Sequence, residues 1–228
     1  MKNLASQNLV HAMILRSGMV NGCPSTCPIH CIGSFPKATL DGTATFFEQL
    51  MHQSVLQFWF QEISPAKWWK VDAAFDQLIV QRFSELHGRA TRAELFEWRN
   101  EPGGRLAEII VLDQFSRNMY RGDRLAFAAD TMALALAQEA VASKADLTLS
   151  PEQRVFLYMP YMHSESSVIH EVAERLFKEN GLISNFDFEL RHKAIIDRFG
   201  RYPHRNAVLG RQSTEEELAF LSEPGSSF

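Results

Sequence analysis

The sequence predicts an all-α fold, and three observations predict it. From about residue 44 onward no stretch sustains the two-residue alternation of a half-buried strand. Apolar residues recur instead at spacings of three and four, as in Trp68, Val71, Phe75, Leu78, Ile79, Phe83 and Leu86. Caps and breakers then fall at helix-length intervals along the chain. With 228 residues, 46% of them hydrophobic and 22% charged, the chain is long enough to bury one sizeable core.

The elements follow in order. Phe46, Phe47, Leu50, Val55, Phe58, Trp59 and Phe60 make a strongly apolar first helix, after which Ser64-Pro65 supplies a cap and a first-turn proline. The Trp68 to Leu86 stripe is one face of a second helix, ending at Gly88. Glu94 to Trp98 is a short helical piece, and Pro102-Gly103-Gly104 breaks the chain before the next helix. Asp123, behind Gly122, caps an alanine-rich segment from Leu125 to Ala142. Ser150-Pro151-Glu152-Gln153 opens a helix towards Tyr158 that Pro160 bends or stops. Ser164 or Ser166 caps the next helix, which Gly181 ends, and Asn185 opens another that closes at Gly200. Ser213-Thr214-Glu215-Glu216 is a capping box for a last short helix.

Residues 1–50 differ from the rest and are expected to be a poorly structured extension before a single helical domain at 51–228. The first acid is Asp41, and a charge of +3 on residues 1–40 within a chain of −4 leaves −7 on the remainder. An acid-free, Ser-containing start with an apolar patch from Leu9 to Leu15 fits a transit peptide. Met51 offers an alternative start. Cys23, Cys27 and Cys31 all lie here, beside His30, but Pro24 and Pro28 restrict a metal site built on them. No cysteine follows, so the domain has neither a disulfide nor a thiol nucleophile.

Net charge −4 and a pI near 6.1 give no electrostatic footprint for nucleic acid or an anionic membrane. No run of about 18 apolar residues stands out as a membrane span. A cytoplasmic protein is the expectation, or an organellar one if residues 1–40 are a transit peptide. Phosphate-binding glycine loops, dinucleotide fingerprints, Gly-x-Ser-x-Gly and His-Glu-x-x-His are all missing.

Polar residues cluster at three places. Asp113, Gln114, Arg117 and Asn118 follow the apolar run Leu106 to Leu112 and lie within about 140° of one helix, with Asp113 and Arg117 at ion-pair spacing. Such polarity on a buried helix is a strut between helices, or a pocket in which Arg117 holds a carboxylate or phosphate. Around Pro160 the chain delivers His163 and Glu165, a general base or a pair of metal ligands, or else simply a helix cap. Arg198, Arg201, His204, Arg205 and Asn206 follow a glycine stop and suit an anion, while also neutralising a helix C-terminus. His192 shares a stripe with Phe188, Ile195 and Phe199 and reads as a hydrogen-bonded core residue.

These residues also carry a resemblance. Val55-Leu56-Gln57-Phe58-Trp59-Phe60, Trp68-Trp69, Arg105-Leu106-Ala107, Leu112-Asp113-Gln114-Phe115, Arg117-Asn118-Met119-Tyr120-Arg121-Gly122, Met162-His163-Ser164-Glu165, Arg198-Phe199-Gly200-Arg201 and Pro203-His204-Arg205-Asn206 occur in that order. Over about residues 53 to 228 the chain thereby resembles the bacterial family catalogued as domain of unknown function 924. The resemblance implies an antiparallel array of helices like tetratricopeptide-type α-α superhelices, and no established activity. Three residues depart from the family pattern: Ser116 for proline, Glu108 for an apolar residue, and His170 for glutamine. Glu108, on an apolar helix, needs a partner or it weakens the core.

The leading expectation is one polar pocket that joins the three clusters and binds an anionic small molecule or peptide terminus. The alternatives are a hydrolase using His163 or His204, with or without a metal, and a scaffold for protein partners that docks them through exposed aromatics. No cofactor and no catalytic residue follows from the sequence.

Overall fold

The computed structural model describes residues 51–226, all within one compact unit. The leader, its cysteines and His30 lie outside the described residues. Helix α1 is described over residues 51–57 and runs into a π-helical turn, Phe58–Glu62. The other helices are α2 (Ala73–Thr91), α3 (Pro102–Ile110), α4 (Ser116–Met119), α5 (Asp130–Ala142), α6 (Pro151–Met162), α7 (Ser167–Asn180), α8 (Ile183–Phe199) and α9 (Glu215–Leu221). Among the described residues there is no strand, so the all-α expectation holds.

Local chemistry explains where the helices begin and end. Asp72 accepts from Ala74 and Phe75 N–H, so α2 starts at Ala73 and not at Trp68. Gly88 does not stop it. The helix runs on to Thr91, and the left-handed residue beyond is Ala93, φ 57°, which no glycine marks. Pro102 sits in the first turn of α3, with Gly103 and Gly104 inside the helix. Gly104 is required there because its Cα lies against the Trp98 carbonyl, leaving no room for a Cβ. Ser150 and Gln153 form the expected capping box, and Thr214 pairs with Glu217 in a second, one residue beyond the Ser213 register. Pro160 lies within α6, which stops two residues later at Met162. Helix α8 begins at Ile183, ahead of Asn185, and both Gly181 and Gly200 take the left-handed conformation at helix ends.

The centre is the continuous helical run α3, π-turn Val111–Phe115, α4. Leu106, Ala107, Ile109, Ile110, Val111, Leu112 and Phe115 are fully buried on every side. Helices α2, α5 and α6 pack on this run, α7 packs on α6, and α8 on α7. Phe83 lies 5.0 Å from Phe58 and 4.8 Å from Phe115, ring to ring, closing the core over the run. Residues 124–142 are long and apolar enough, by length and composition, to cross a membrane. Here the segment packs Ala133, Ala137 and Ala140 inward and places Asp130 in an ion pair.

Glu108, Ser116 and His170 each have a polar partner. Glu108 takes a two-pronged bond from Arg99, at 2.8 and 2.7 Å. Ser116 Oγ donates to the Leu112 carbonyl at 2.6 Å and accepts from His87 Nε2 at 2.8 Å. His170 lies 2.7 Å from Glu189 through Nδ1 and 2.9 Å from the Ser164 carbonyl through Nε2.

Candidate functional site

Asp113 sits in the π-turn, a distortion that often marks functional positions, and it is fully buried. Its oxygens are all engaged. Oδ1 lies 2.8 Å from His163 Nδ1 and 2.9 Å from Arg117 Nη1, and Oδ2 accepts from Gln114 at 2.6 Å. Burial pushes its pKa up, but Arg117, His163 and the Gln114 bond outweigh that and hold the carboxyl well below the usual range. An ionised carboxylate only accepts, so the His163 proton is on Nδ1 and Nε2 carries the lone pair.

Arg117 joins this group to α5. Its Nη1 also donates to the Asp113 carbonyl at 2.9 Å, and its two terminal nitrogens hold Asp130 at 3.0 Å each. Arg205, in the turn Pro203–Arg205, reaches the same Asp130 at 3.4 Å. Its guanidinium stacks 4.7 Å from the Phe127 ring and 4.6 Å from Tyr202. Burial and then Arg117 lower the Arg205 pKa, the mark of a cation short of compensation. The result is one chain of contacts: His163, Asp113, Arg117, Asp130, Arg205.

Histidines surround that chain and are held neutral. Burial, then Arg117, lowers the His163 pKa against the pull of Asp113. Burial and Arg205 bring His204 down to about 4. His192 is brought down to about 3 by burial, despite its bond to the Phe188 carbonyl, and is the core histidine expected.

The remaining candidates go elsewhere. Asn118, at the far edge of its arc, faces α2 and donates to Asp76 beside Arg121. Glu165 diverges from His163: it accepts from Arg211 at 2.6 and 2.9 Å and from the Tyr202 N–H at 2.8 Å. Arg198 pairs with Glu216 and Arg201 with Glu217, both on α9, because the chain turns back there to bring the acidic first turn of α9 beside them. Asn206 donates to Ser213 and Glu217. A single pocket formed by all three clusters is therefore not what folds. Asp113, Gln114, Arg117, His163 and Arg205 are joined through contacts, with His204 close by. Among the described residues no three His, Cys, Asp or Glu side chains converge as cation ligands, so the metal-dependent form of the hydrolase reading lacks a ligand set there. Sequence reasoning missed Asp130 and Phe127. A lone acid opening an alanine-rich helix was the signal for Asp130, since a charge on such a segment needs a partner.

Fold and site together define a helical-array protein whose centre is a buried chain of carboxylates and guanidiniums. A family model described as "Bacterial protein of unknown function (DUF924)" matches residues 55–225, and the chain belongs to that family. A solved structure of a protein of unknown function from Agrobacterium tumefaciens is 35% identical, with a TM-score of 0.73 over 76% of this chain and 98% of that one. No curated protein matches the chain.

Proposed function

We propose that this protein binds an anionic small molecule, or the carboxylate end of a peptide, at the Arg117–Asp130–Arg205 cluster. One observation carries the reading. Arg117 is divided between Asp113 and Asp130, while buried Arg205 reaches Asp130 only at 3.4 Å and its buried Nε has no acceptor among the described residues. A buried charged donor left unsatisfied costs about 1–3 kcal/mol or more, which an incoming anion recovers. The cluster is not sealed: Arg117 and Asp130 keep 19% and 20% of their side-chain surface exposed. The scaffold reading is weaker, because Trp59 and Trp98 are buried and only Trp69 stands well out among the four tryptophans.

Thermal-shift titrations of the full chain with phosphate and succinate, against chloride at matched ionic strength, test the proposal. Wild type should show a saturable rise, about 2.7 kcal/mol of added stability at a hundred times Kd. Arg205→Gln should keep its unliganded melting point near wild type and lose the response. No rise with either anion, or an equal rise in Arg205→Gln, would remove the reading.

A further inference from the structure

Beside the proposed anion site lies a group with the form of a base. His163 is the C-cap residue of α6, its Nδ1 fixed by Asp113, while Nε2 makes no hydrogen bond among the described residues and the side chain is 15% exposed. A neutral imidazole, oriented by a buried carboxylate that only accepts and open on its other nitrogen, is what proton transfer requires. Arg117 stands beside it as a fixed positive charge, suited to stabilise negative charge that develops on a reacting oxygen. The carboxylate is itself fixed by Gln114 and Arg117, so ring and carboxylate form a rigid unit.

We propose that His163 is a general base for hydrolysis of acyl esters that carry a carboxylate or phosphate, with Asp113 positioning it and Arg205 holding the charged end of the substrate. This rests on the anion-binding reading above. Nε2 takes a proton from water as the water oxygen forms a bond to the acyl carbon and the carbonyl electron pair moves onto its oxygen. When that pair returns, the bond to the alcohol oxygen breaks, and this oxygen takes the proton back from Nε2. Ester and water become acid and alcohol, and the imidazole ends neutral.

The groups that face His163 are Asp113 from the π-turn, Arg117 from α4, Asp130 from α5, His192 from α8, and His204 with Arg205's neighbouring charge from the 203–205 turn. With its pKa lowered, His163 is deprotonated at pH 7, and activity should be level there and fall on the acid side with a midpoint below 6.5.

The test is release of p-nitrophenol by the full chain from mono-p-nitrophenyl succinate, which is anionic, and from neutral p-nitrophenyl butyrate. The expected result is a kcat/KM at least about tenfold higher for the succinate, with competitive inhibition by phosphate. Neither readout depends on a variant folding. His163→Gln should lower kcat on the order of 10²-fold or more. Asp113→Asn should lower kcat and displace the acid limb with KM little changed, because the amide turns the ring to the other tautomer. Arg205→Gln should raise KM for the succinate alone. Hydrolysis no faster than imidazole buffer, or undiminished in folded His163→Gln, overturns the proposal. Were succinate to raise the melting point without the ester being cleaved, catalysis would fall and anion binding stand. Equal turnover of both esters, lost in His163→Gln, would keep the base and overturn the charged-substrate assignment.

Discussion

Replacing Arg117 by alanine removes the residue that bonds both carboxylates of the central chain. Among the described residues, Asp113, fully buried, would keep the Gln114 amide and a neutral His163, and Asp130 would keep Arg205 at 3.4 Å. Removing one partner of a buried pair costs about 3–5 kcal/mol, because the surviving charge stays desolvated. In a domain of this size that corresponds to a melting point lower by roughly 10 °C. The assay is urea unfolding of the full chain followed by tryptophan fluorescence and circular dichroism. Arg198→Ala is the control, since its pair with Glu216 is exposed on both sides and is worth less than about 1 kcal/mol. A loss below about 1 kcal/mol in Arg117→Ala, or equal losses in the two variants, would refute the argument that Arg117 compensates buried charge.

Acid should unfold the protein early. His192 and His204 stay neutral in the fold down to about pH 3 and 4, yet protonate near 6.5 when unfolded, so the penalty is absent above pH 6.5 and grows as pH falls to those values. At roughly 1.4 kcal/mol per pH unit for each histidine, urea midpoints at pH 7, 6 and 5 should fall steeply below 6.5, and a flat profile would contradict the burial argument. Arg99→Met should destabilise by about 3 kcal/mol by stranding buried Glu108, whereas Arg99→Met with Glu108→Leu should recover most of it; the paired unfolding curves check this. Gly104→Ala should cost about 1–3 kcal/mol in the same assay, as a Cβ there meets the Trp98 backbone.

The helices were legible wherever their signals are local. Ser150 and Gln153 lie three residues apart, and Gly181 and Gly200 stop helices by their own backbone freedom. Where a distant contact decides, the sequence misleads. Gly88 reads as a stop but is ordinary helix, and Ala93 terminates α2 without any side-chain sign. The site shows the same divide. Asp113 and Arg117 are four apart and meet as the helical period requires. Arg198 and Arg201 looked like partners of Arg205 because they are neighbours in sequence, but the glycine turn and the returning α9 send them to Glu216 and Glu217. Asp130 lies thirteen residues from Arg117, outside any helical spacing, and only packing of α5 on the central run brings the two together.

Nitrogen-detected NMR of the histidine side chains at pH 7, with phosphate added stepwise, tests the central claim most directly. The account predicts that His163 is neutral with its proton on Nδ1, and that its Nε2 resonance moves saturably with phosphate while His87, which is bonded to Ser116 and is not a member of the chain from His163 to Arg205, stays fixed. A His163 proton on Nε2, or no response to phosphate at His163, would contradict it.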